Sequence, residues 1–189
     1  MLKNEPLQGA KTKCKPDVES VLKAAKKRAE ELSVRTILVA STTGETGAKT
    51  AEFFKGYNVV VVTHSTGFIA PDSQELTNEN RERILGSGAK ILTTTHAFGG
   101  LGRAVRRKFD TYQSDEIVAN TLRIFGQGVK VAVEIAIMAA DSGLISVKED
   151  VISIGGSGGG ADAALVLKAA NVQDFFDVRV HEIICKPWM

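Results

Sequence analysis

Two short segments are dense in residue types that could do chemistry. Ser41, Thr42, Thr43, Gly44, Glu45, Thr46 and Gly47 place four hydroxyls and two glycines in seven consecutive positions. Hydroxyls, permissive glycines and the exposed amides of a following helix together suit a phosphate dianion. A helix cap needs only one such hydroxyl, so the density favours a phosphate cradle, with the Glu45 carboxylate turned away from it. The stretch is not a nucleoside-triphosphatase loop, because Ala48 stands where that motif has the glycine before Lys49 and Thr50. In the second segment, Gly155, Gly156, Ser157, Gly158, Gly159 and Gly160, five of six positions lack a side chain, and a ligand can meet bare backbone. Three readings compete there. Gly156, Gly158 and Ala161 fit a relaxed dinucleotide fingerprint, but they follow a late strand instead of opening a βαβ unit. Gly155, Ser157 and Gly159 fit a nucleophile elbow, whose triad would need Asp174 or Asp177 and then His181, a residue inside the final strand. A flat ring or a sugar lying on the main chain is the preferred reading.

His64 and His96 end two strands at the same sheet edge as both loops. Each could hydrogen-bond a ring or move a proton near neutrality, or simply anchor a loop. Thr66 and Gly67 continue the turn after His64 and are counted with it as ligand contacts, and Phe68 and Phe98 could stack on a ring or pack the loops. Metal-ligand spacing is absent around the histidines, and no metal is expected. Asp162 follows the glycine loop, where it could complement a helix dipole or accept from a ligand. The run from Arg103 to Lys108 has no interleaved aromatics and reads as a solvated face sooner than as a nucleic-acid patch or a phosphate or partner contact. Glu134 is expected to pair with Lys130 one turn earlier, a structural role. No nucleophile and base pair is convincing, so the catalytic residues stay unassigned.

These residues need strands and helices to position them. A helix over 16–33 carries Val18, Val21, Leu22, Ala25, Ala29 and Leu32 at helical spacing. Strands are expected at 35–40, 58–63, 89–95, 151–154 and 178–185, with helices at 48–55, 77–85, 114–125, 129–141 and 161–170. Alternating strands and helices imply a three-layer α/β/α domain with a mostly parallel five-stranded sheet. Right-handed crossovers and one long helical connection give the order 3-2-1-4-5. In that order the winding reverses between strands one and four, where ligands bind in open α/β sheets, and the two loops follow those two strands.

With 189 residues, 43% of them hydrophobic and 24% charged, the chain is expected to fold as one domain over 1–189. Its 24 Lys and Arg against 22 Asp and Glu leave a net charge of +2, too little for a dedicated nucleic-acid protein. Four lysines and no apolar run mark the first fifteen residues, so neither a signal peptide nor a membrane partner is expected. Cys14 and Cys185 lie near opposite ends without metal spacing, which fits a reducing, cytoplasmic setting.

The loop 41–47, the segment from Thr93 to His96, the helix from Gly128 to Asp141 and the run from Ile154 to Asp162 resemble stand-alone archaeal-type proteins similar to the C-terminal α/β domain of pyruvate kinase. The resemblance covers nearly the full chain. It implies a mixed sheet with an antiparallel last strand, and in pyruvate kinase the corresponding hydroxyl-rich loop holds a phosphate of a sugar effector. For the stand-alone proteins it implies flavin mononucleotide (FMN) as cofactor. The expected function is therefore FMN binding, in a flavin-dependent oxidoreductase or a flavin carrier, with phosphate on loop 41–47 and ring against loop 155–160. The alternative is a non-enzymatic sensor of a sugar phosphate or nucleotide. Pyruvate kinase activity is not implied, since the barrel with its metal and phosphoenolpyruvate sites belongs to another domain. A small phosphorylated molecule is the expected partner, and self-association into a homo-oligomer is left open.

Overall fold

The computed structural model describes residues 16–188; the basic lead 1–15, with Cys14, and Met189 lie outside it. Helix α1 (Val18–Leu32) starts after Asp17, whose carboxylate caps it by accepting from the Ser20 N–H at 2.9 Å. Its apolar stripe of Val21, Leu22, Ala25 and Ala29 is fully buried. Strand β1 (Thr36–Ala40) leads through the hydroxyl-rich loop into α2 (Glu45–Phe53), followed by β2 (Asn58–Thr63), α3 (Asn78–Gly86) and β3 (Lys90–Thr93). Three helices, α4 (Leu101–Phe109), α5 (Ser114–Leu122) and α6 (Gln127–Asp141), then return the chain to β4 (Asp150–Gly155). The run expected as a solvated face, 103–108, lies within α4, which buries no residue.

The sheet order is β3-β2-β1-β4-β5-β6. Strands β3, β2, β1 and β4 are parallel, as the crossover argument requires, and β5 (Ala163–Lys168) and β6 (Arg179–Cys185) are antiparallel. The order read from the sequence stands, with one strand more. Residues 161–170, expected as a helix because they are rich in alanine and leucine, form β5 instead. Loop 156–162 folds straight back, so that Gly155 pairs with Ala163 and Asp150 with Lys168. Burial on both faces explains the switch: Ala163, Leu165 and Leu167 enter one core and Ala164 and Val166 the other, and packing of this kind overrides helix propensity.

Each strand feeds both layers. Ile37 and Val39 pack under α1 and α2 with Phe54 and Ile84, while Leu38 packs under α6 with Ala132, Val133 and Ala136. Helix α6 is buried along almost its whole length and lies close on β4. Gly155 permits that approach, because a Cβ there would lie 2.1 Å from the Gly128 carbonyl oxygen. Among the described residues no helix is long and apolar enough to cross a membrane.

Candidate functional site

The loops after β1, β2, β3 and β4 converge at the carboxyl edge of the parallel strands around a cleft of about 610 Å³, within the range of about 300–1,000 Å³ usual for small-molecule sites. Of the residues anticipated from sequence, Ser41, Thr42, Thr43, Glu45, Thr46, His64, His96, Gly156, Ser157, Gly158, Gly159 and Gly160 line it. Gly44, Gly47, Thr66, Gly67, Gly155 and Asp162 do not. Thr66 and Gly67 are exposed outside the cleft. Gly47 packs on Val61, and Gly44 is buried against Leu76 and Asn80 at φ +94°.

The hydroxyl loop divides its labour. Gly44 is the N-cap of α2, and the Ser41 oxygen, from before the cap, accepts from the Gly47 N–H at 3.0 Å and so satisfies one amide of the first turn. Thr42, Thr43 and Thr46 remain at the cleft with the first free amides of α2. Glu45 stays at the cleft, contrary to the expectation that its carboxylate turns away, and pairs there with Lys49, 2.7 Å away; the hydrogen bond from that ammonium holds its carboxyl below the usual value.

His64 is held from both sides. Its Nδ1 lies 2.7 Å from the Glu75 carboxylate and its Nε2 lies 3.4 Å from the Thr42 hydroxyl. Because a carboxylate only accepts, the neutral ring carries its proton on Nδ1 and leaves Nε2 to accept from Thr42. Glu75, on the loop before α3, is a residue that sequence reasoning did not single out. Phe68 stacks against His96 with ring centroids 5.0 Å apart and lies 4.1 Å from His64, and the Arg103 guanidinium covers its ring. Burial lowers the His96 pKa, opposed by nearby Glu134, and its Nε2 is buried without a hydrogen-bond partner.

The floor and far wall come from α6. Gln127, Lys130, Val131, Glu134, Ile135 and Met138 recur at three- and four-residue intervals and line the cleft as one helix face. The expected Lys130 to Glu134 pair forms, and Glu134 also accepts from the Phe98 N–H at 2.9 Å. Burial pushes the Lys130 ammonium pKa down, against the pull of Glu134. The pair lines the cleft as well as tying α6 to the Phe98 backbone. The missed signal was the recurrence of polar residues on one face of an otherwise apolar helix.

The glycine loop is a hairpin connection, and this removes two readings. A dinucleotide fingerprint and a nucleophile elbow both need a helix after the glycines, whereas β5 follows. His181 lies in β6, 3.2 Å from Asp150, and does not line the cleft. Asp162 caps no helix. It is fully buried, its carboxylate accepts from the Ser157 N–H at 3.1 Å and its own N–H donates to the Gly155 carbonyl at 3.0 Å, which closes the loop. Gly158 and Gly159, at φ +96° and +79°, have no atom within 4 Å of a Cβ position and expose their main chain.

A doubly wound α/β domain with an antiparallel extension and a ligand-sized cleft at its switch point is the class that this fold and site define. The family model of the pyruvate kinase alpha/beta domain matches residues 19–167, and the chain belongs to that family. Solved structures similar to it include a pyruvate kinase from Cryptosporidium parvum at 14% identity and a TM-score of 0.42, matched over 83% of this chain and 24% of that one. A structure of Cryptosporidium parvum pyruvate kinase in complex with ADP matches at 14% identity and a TM-score of 0.41, over 83% and 25%. This chain thus spans about a quarter of the length of the pyruvate kinases it matches.

Proposed function

We propose that the cleft binds flavin mononucleotide, with its phosphate on Thr42, Thr43 and Thr46 and its ring between the glycine loop and α6. One observation carries the reading: the apolar face of Val131, Ile135 and Met138 shares a single cleft with exposed glycine backbone, with the Thr43 and Thr46 hydroxyls and with the first amides of α2. A flat ring needs the first two, and a phosphate needs the third. The donor set fits the group in a further respect, since the buried, partnerless Nε2 of His96 is a polar atom that a ligand heteroatom can satisfy. Gln127 and Lys130 offer further hydrogen bonds to ring edge or ribityl hydroxyls. Bound flavin would supply electron or hydride transfer, as a redox enzyme or a carrier, while the protein binds and orients.

Titration of the purified protein with FMN, followed by quenching of flavin fluorescence, tests the proposal. Saturable quenching with FMN well ahead of riboflavin is expected, since only FMN carries the phosphate. The second reading, a sensor of a phosphorylated sugar, draws on the polar floor of Gln127, Lys130 and Glu134. Binding of a sugar phosphate with no response to FMN would replace the first reading by the second.

A further inference from the structure

Beside the main cleft, α4, α5 and the turn before α6 enclose a second cavity of about 380 Å³, and Arg103 and Arg123 line both. Four guanidinium groups, those of Arg103, Arg106, Arg107 and Arg123, face this cavity with one carboxylate, Glu116. Glu116 is committed to Arg106, whose Nε donates to both of its oxygens at 2.8 and 3.0 Å. Arg123 donates only to neutral acceptors, Gln127 at 2.7 Å and Asn120 at 2.6 Å. Arg103 lies over the Phe68 ring. Among the described residues neither Arg103, Arg107 nor Arg123 forms an ion pair.

Three like charges without counter-charges around one concavity repel one another, and they make a positive potential that small anions neutralise. Guanidinium groups suit such a role because each presents planar, paired donors to oxyanions. We infer that this cavity is a second anion site, distinct from the hydroxyl loop, which takes a phosphoryl group carrying two or more negative charges. A single carboxylate would satisfy one of the three guanidinium groups and leave the others opposed. Because Arg103 and Arg123 also line the main cleft, the anion held there is either one arm of a long ligand or a separate phosphorylated co-substrate beside the first. The inference does not depend on the identity of the molecule in the main cleft.

Inorganic pyrophosphate is the probe, titrated calorimetrically into flavin-free protein, with citrate and acetate as the other arms. Pyrophosphate should bind in preference to citrate, with acetate weakest. Arg103→Gln and Arg123→Gln should each weaken pyrophosphate by about tenfold, the scale of one lost charge-assisted hydrogen bond. Arg107→Gln, at an exposed position, should weaken it by a smaller factor with no risk to the fold. In the Thr43→Val, Thr46→Val background, where phosphate binding at the hydroxyl loop is weakened, the arginine-dependent component of pyrophosphate binding should remain. Absence of binding, loss through the threonine changes but not the arginine changes, or tighter binding of citrate would each overturn the assignment. So would arginine variants that change only the oligomeric state seen by size-exclusion chromatography. FMN titrations of the same variants keep the two proposals apart, since failure to bind FMN with arginine-dependent pyrophosphate binding intact sinks only the first.

Discussion

The two glycine-rich loops leave adjacent parallel strands, yet they use glycine in opposite ways. In loop 41–47 the glycines are closed in. A Cβ at Gly44 would lie 2.4 Å from Leu76 and one at Gly47 2.5 Å from Val61, and the Ser41 oxygen ties the loop to α2. Packing therefore fixes the backbone, and the threonine hydroxyls become the contact surface. Loop 156–162 is anchored by Gly155 against α6, by Gly156 against the Gly160 carbonyl, by Gly160 against Val18 and by Asp162 on the Ser157 N–H. At its middle Gly158 and Gly159 are exposed, with no atom within 4 Å of either Cβ position. The first loop offers side-chain chemistry on a rigid frame and the second offers bare backbone. Glycine content alone does not distinguish them.

The contrast breaks most visibly at the anchors. Gly155→Ala drives a methyl group into the α6 backbone, which cannot move aside as a side-chain tip can. We expect a loss of about 3 kcal/mol in urea unfolding, the upper end of the overpacking range. Gly159→Ala meets no atom and is opposed only by its positive φ, a cost of about 1–2 kcal/mol. Equal losses at the two positions would show that the loop is packed throughout.

On the hydroxyl side, Thr43→Val with Thr46→Val should weaken FMN by about 1.5–3 kcal/mol for each hydrogen bond lost to the charged phosphate. Riboflavin should lose far less. Equal losses for both flavins would mean that the threonines shape the loop instead of contacting phosphate.

A pH arm sharpens the same side. Burial lowers the His96 pKa below the ordinary 6.5, so the unfolded chain takes up a proton there before the folded one does. Stability from this group is complete above the unfolded value, is lost as pH falls from there through the folded value, and is flat below it. His96→Asn should flatten that part of a stability profile measured by thermal melting, whereas Gly159→Ala should leave it in place. An unchanged slope in His96→Asn would remove burial as the cause.

How far this contrast could be read from the sequence differs between its halves. Strands β1 to β4 announce themselves as short apolar runs such as Val59 to Val62, buried on both faces, and parallel crossovers then order them. The position of both loops at the switch point follows. The path after the second loop does not, because Ala163, Ala164 and Leu165 have helical propensity and it is their burial on both faces, after the tight return of the loop, that makes them a strand. The α6 wall was hidden for another reason. Lys130 and Glu134 satisfy each other across one helical turn, so local reasoning accounts for them in full without a cleft. Only the orientation of α6 against the sheet shows that the face they share with Val131 and Met138 is the one that meets the ligand space.

The smallest expected effect lies at Ser157, the one side chain in the glycine run 155–160. If the open backbone is the contact surface, its hydroxyl is dispensable. Residue 157 is exposed, and the bond that matters to the loop is made by its main-chain N–H to Asp162, which alanine retains. Ser157→Ala should therefore stay within about 0.5 kcal/mol of the parent in stability, as exposed substitutions away from such features do, with FMN affinity changed no more than that. A nucleophile would behave otherwise. With β5 after the glycines and His181 held by Asp150 in β6, no base among the described residues hydrogen-bonds the Ser157 hydroxyl, and hydrolysis of a simple ester should be the same in parent and variant. Loss of an esterase activity specifically in Ser157→Ala would show that the loop presents a side chain after all, and the distinction between the two loops would collapse.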